Sequence, residues 1–138
     1  MGKMSASRRT SSLVIVILAG AVYATVGVVF AKFTPELLWR RLAWVVSAVA
    51  FAAHIAYEHF FRGSTARTLA GHVSVAAAIG AFGLAAAANL PGGSVATANH
   101  RALRIALIAW PILVGIPAFV VAMVAAAIAK RVWPRRNA

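Results

Sequence analysis

Four apolar blocks, each about as long as a bilayer crossing, decide most of what this chain can fold into. They run over residues 12–32, 35–61, 68–90 and 105–129, separated by short polar or basic segments. A bilayer core is crossed by roughly 20 apolar residues of helix. In lipid a span must satisfy its own backbone hydrogen bonds, so blocks of this length are helices. The expected fold is all-α: an integral membrane four-helix transmembrane bundle, one domain of 138 residues. With 62% hydrophobic residues and a mean hydropathy of +0.86, a soluble domain of this length would lack the polar surface to cover itself.

The first block follows a polar, basic start, MGKMSASRRTS, which resembles the n-region of a signal peptide. The apolar run then continues to Phe33, too long for a signal h-region, so an uncleaved first span is expected. Within it Gly20, Ala24, Gly27 and Ala31 recur at spacings 4, 3, 4 and share one helical face. Small residues in that pattern let helix backbones approach closely in lipid. Ala76, Gly80, Gly83 and Ala87 repeat the stripe in the third block, with His72 at its start. That block is almost all small residues, which suits a helix in the middle of a bundle.

The connections follow from turn chemistry. In FTPELL, Thr34 is a natural N-cap, Pro35 suits the first helical position and Glu36 favours the positive helix end, so helix 2 should start at Pro35. RGSTAR, residues 62–67, is a tight polar turn that makes helices 2 and 3 an antiparallel hairpin. Residues 91–104 form the longest loop, opened by Pro-Gly-Gly. Pro111 and Pro117 lie inside the fourth span and should kink or loosen it.

Charge is lopsided: 14 Lys and Arg against Glu36 and Glu58. In a soluble protein that excess would suggest nucleic acid. Here the basic residues lie at block ends, where topogenic charges and headgroup contacts belong, and no nucleic-acid partner is expected. Nine of them fall on the side of the N-terminus, the 62–67 turn and the tail, and five on the other side. The excess places both termini in the cytoplasm. Arg-rich, Ala-rich composition points to a bacterial inner (plasma) membrane.

Chemistry concentrates in HIAYEH, residues 54–59, inside the second span. Arg40, Trp44, Ser47, Phe51, His54 and Glu58 follow spacings 4, 3, 4, 3, 4 and form one seam. His59 is rotated about 100° from Glu58 and is expected to reach the headgroups. Counted from the turn, Glu58 and His72 sit at nearly the same depth, with His54 about one helical turn deeper. If the small-residue stripe of helix 3 faces helix 2, then His54, Glu58 and His72 converge.

Three readings of that trio compete. The first is a mutually satisfied polar cluster that pins helices 2 and 3, because a carboxylate in hydrocarbon must be paired, and His72 or Arg62 can pair it. The second is proton- or ion-coupled transport by a small oligomer, with Pro111 and Pro117 as a gate. The third is a metal or haem site, His54 and His72 being credible ligands on facing helices. Enzymatic chemistry is not expected: the chain has no Asp, no Gly-x-Ser-x-Gly elbow and no phosphate-binding loop. It has no Cys, which removes disulfides and thiolate metal sites. The expectation is a non-enzymatic membrane protein without a cofactor, an accessory or assembly subunit of a larger complex or a self-associating bundle. Its partners are the lipid bilayer and other membrane subunits or itself.

Overall fold

A short polar turn and close backbone approach organise the molecule more than side-chain bulk does. The computed structural model describes residues 3–32, 37–90 and 100–133. They form four helices: α1 (Lys3–Lys32), α2 (Leu37–Ala56, continued by a π-helical turn, Tyr57–Phe61), α3 (Ala66–Ala88) and α4 (His100–Val132). All four are long and apolar enough to cross a membrane. The expected start of helix 2 at Pro35, with Thr34 and Glu36, lies outside the described residues, as does most of the 91–104 loop. α4 begins earlier than expected, at His100, and α1 extends N-terminally of the apolar block to Lys3.

Cross-helix pairs give the topology. Gly20 of α1 lies against Ala76 and Ile79 of α3, and Gly27 against Leu84. The numbers rise together, so α1 and α3 run parallel. Ser12 meets Arg62 and Tyr23 meets His54, so α1 and α2 run in opposite directions. Ser74 donates to the Gly115 carbonyl at 2.8 Å, and Asn89 Nδ2 donates to the Leu103 carbonyl at 3.0 Å. α3 and α4 are therefore antiparallel too, and the bundle is up-down-up-down.

α3 is the central helix. It packs along both α1 and α4, and 44% of its apolar window is buried, against 6% for α2. The small-residue stripe of α3 packs chiefly against α1, while His72 at its start reaches the end of α2. A Cβ added at Gly80 would stand 2.5 Å from Tyr23 Cβ, and one at Gly20 would stand 2.6 Å from Ile79 Cγ2. Gly83 faces Ala24 in the same way, while Gly27 is looser, its nearest neighbour Leu84 lying 3.4 Å away. Ala76 is fully buried between them. Two stripes of matched spacing pack best against each other, because only then do both backbones use the missing side chains.

On its other side α3 builds a small core with α4 from Leu69, Ala70, Val73, Ala122 and Ala126, covered by Phe51 and Ile55 of α2. α4 stays helical through Pro111 and Pro117. The Ser74–Gly115 hydrogen bond ties it to α3 between the two prolines.

The expected hairpin of helices 2 and 3 is present at its turn and sparse beyond it. α3 starts at Ala66 behind a Thr65 N-cap, whose Oγ1 accepts from the Thr68 N–H at 3.3 Å. The reversal is made at Gly63, with φ 63°, a conformation that costs a residue with a Cβ about 1–2 kcal/mol. Past the turn α2 separates from α3, and a cleft of ≈390 Å³ opens among all four helices.

Candidate functional site

Glu58 is the centre of the polar chemistry. It is the second residue of the π turn, which is closed by the Arg62 N–H on the Tyr57 carbonyl at 3.3 Å. A turn closed from i to i+5 holds more residues than an α turn, so adjacent side chains are separated by a smaller angle. That widening brings both Glu58 and its neighbour His59 inside.

Three side chains meet at the Glu58 carboxylate, which is fully buried. His72 Nδ1 of α3 stands 3.1 Å from Oε1. Arg62 Nη1, at the end of the π turn, donates to the same oxygen at 3.4 Å. Ser64 Oγ, in the turn, donates to Oε2 at 2.6 Å. Arg62 then reaches α1, its Nη2 donating to Ser12 Oγ at 2.6 Å. A carboxylate out of water is tolerable only when its lone pairs are met by donors and its charge by a cation, and this arrangement supplies both.

The expected Glu58–His72 pair is therefore formed, and Arg62 joins it. His54 takes its hydrogen bond elsewhere. Its Nδ1 lies 3.2 Å from the Tyr23 hydroxyl of α1, with the rings 6.2 Å apart, and it forms no hydrogen bond to Glu58. Its Nε2 is buried without a partner. The reason is the α1–α3 packing: Tyr23 is held over Gly80, which aims its hydroxyl at α2. The trio thus makes two sets of hydrogen bonds, a Glu58 clasp and a Tyr23–His54 tie, with His54 still near enough to Glu58 and His72 to interact with their charges. Among the described residues no three His, Asp or Glu side chains are gathered to hold a metal ion.

His59 is a correction. It is buried, not spread into the headgroups, and its ring meets Phe60 edge-on with centroids 4.9 Å apart. Phe60 in turn meets Trp133 edge-on at 6.0 Å, fastening the end of α4 to the π turn.

Of the seam on helix 2, Trp44, Ser47 and Phe51 line the ≈390 Å³ cleft together with Tyr23, Leu84 and Trp110. Its polar lining groups are the Tyr23 and Ser47 hydroxyls and the indoles of Trp44 and Trp110. The Arg40 side chain lies outside the described residues. Sequence reasoning missed Ser12, Ser64 and Tyr23. Ser64 carried a usable signal, since a hydroxyl in the turn next to a buried carboxylate is a local donor. Ser12 and Tyr23 carried none, because both contacts depend on which helix α1 packs against.

Comparison with protein-family models, with curated proteins and with solved structures returned no match.

Proposed function

We propose that the chain is a non-enzymatic bacterial inner-membrane protein that spans the bilayer four times and acts through helix packing, as an accessory or assembly subunit of a larger membrane complex or of its own oligomer. The observation that supports this most is the Glu58 clasp. Glu58 is the one carboxylate side chain among the described residues, and it is consumed by three donors from within the chain. A group so satisfied fixes helices in register and offers little to a substrate. The orientation proposed has both termini in the cytoplasm, following the excess of Lys and Arg on that side. A reporter fused at Ala138 should be cytoplasmic, and a periplasmic signal would overturn the orientation.

The test is a pull-down from native membranes with mass spectrometry, paired with flux in proteoliposomes. Stoichiometric co-purification of other membrane subunits, or a discrete homo-oligomer, with no flux by the protein alone, is the expected result. One observation favours the second reading, a small oligomeric proton- or ion-coupled transporter. The unpartnered His54 Nε2 is buried close to the cleft-lining Tyr23. Flux that vanishes in both Glu58→Gln and His54→Gln would replace the first reading with the second.

A further inference from the structure

Among the described residues at one end of the bundle, Lys and Arg outnumber the one carboxylate, Glu58. Arg62 and His72 use Glu58 there. Lys130 and Arg131, in the last turn of α4, have no carboxylate among the described residues. They stand beside a cavity of ≈730 Å³, within the range of small-ligand sites, which is also lined by His59, Ser64, Thr65 and Trp133.

The walls of this cavity come from three places. The π turn supplies His59, braced by Phe60 against Trp133. The 62–65 turn and the start of α3 supply Ser64, Thr65 and Ala66; the Thr68 N–H is capped by Thr65, and the N–H groups before it in the first turn have no carbonyl within the helix to bond. α4 supplies Ala126, Ala127 and the two cations. Trp133 sits at the end of a helix long enough to cross a membrane, where tryptophans mark the headgroup level. Positive charge, backbone donors and a tryptophan at that level are the chemistry that recognises a phosphate carrying an acyl tail.

We propose that this cavity holds the phosphate headgroup of one anionic phospholipid. Lys130 and Arg131 supply the charge, and the start of α3 with the π turn forms the cradle. The assignment rests only on residence in a membrane and holds whether the protein is an assembly subunit or a transporter. The source of the phosphate is a bilayer lipid, because the exposed apolar flank of α4, including Ile128 and Val132, offers a surface for the tails.

The test is native mass spectrometry of the full chain released from micelles containing phosphatidylglycerol or phosphatidylcholine. Wild type should retain phosphatidylglycerol in preference to phosphatidylcholine. Lys130→Gln/Arg131→Gln should weaken that retention by roughly fivefold for each charge removed. Lys130→Arg should keep it. Ala127→Phe, which fills the cavity without changing charge, should also weaken it. Arg101→Gln/Arg104→Gln removes the same charge from the other end of α4 and should leave it unchanged. Equal loss in the two Gln double variants would reduce the effect to net charge and overturn the site. So would equal retention of phosphatidylcholine, or displacement of the lipid by inorganic phosphate alone. Both double variants alter exposed residues, so a normal melt separates loss of lipid from loss of fold.

Discussion

The α1–α3 pairing and the attachment of α2 are built in opposite ways. Between α1 and α3 the backbones approach until Gly20 and Gly80 leave no room for a methyl group. α2 is tied at points instead: Trp39 against Phe30 near one end, His54 to Tyr23, and Glu58 in its clasp at the other end. Between those ties it stands off from the body around a cleft. Lipid tails are as apolar as a leucine, so burial alone does not hold transmembrane helices together. Close dispersion contact can do it, and so can polar ties. The bundle uses the first for α1–α3 and leans on the second for α2, whose apolar contacts are limited to residues such as Trp39, Phe51 and Ile55, so α2 is expected to be the span that loosens first.

The largest effect should come from Glu58→Ala. Removing the carboxylate leaves Arg62 and His72 without their anion, and breaking a buried ion pair costs about 3–5 kcal/mol. The Arg62 side chain is 20% exposed and can turn toward headgroups, so the lower end, about 3 kcal/mol, is expected in denaturation of the detergent-solubilised protein. Adding His72→Ala should cost less than the sum of the single changes. Strict additivity would count against their contact.

Next comes Gly80→Ala, at about 1–3 kcal/mol, because the new methyl meets the Tyr23 Cβ, which cannot move without α1. Gly27→Ala should be close to neutral, since its nearest neighbour is at ordinary contact distance. Equal melts for the two variants would remove the contrast between a tight and a loose stretch of one interface. The same change at Gly71, where a Cβ meets nothing within 4 Å, should stabilise by about 0.5–1 kcal/mol through helix propensity alone. A loss there would mean that α3 has a neighbour on that face. Among the polar ties the smallest effect expected is Tyr23→Phe, at about 0.6 kcal/mol, the mean for interhelical hydrogen bonds in membranes. It should speed amide exchange in α2 more than in α3, and equal acceleration in both would weaken the picture of α2 as a separately tied span.

Much of this was legible from residues alone. Block length identified the four helices, and depth counting from the 62–67 turn paired Glu58 with His72, because a short turn leaves two helix ends no freedom of level. The small-residue stripes were legible as packing faces, yet their partner was not. Spacing says which residues share a face and nothing about which helix that face meets. The π turn was also invisible, and with it the burial of His59, because helical arithmetic assumes a constant angle per residue.

The sequence by itself determined the four helices long and apolar enough to cross a membrane, the small-residue faces and the one carboxylate that must find donors within its helix. These follow from local properties: length, side-chain size and the cost of an unpaired charge in hydrocarbon. Only the tertiary structure decided that α1 and α3 share the close interface, that His54 turns to Tyr23, and that the cations of α4 line a cavity beside the π turn. Those outcomes depend on which of several compatible faces meet. That choice is made by the fit of whole helices, which no local pattern encodes.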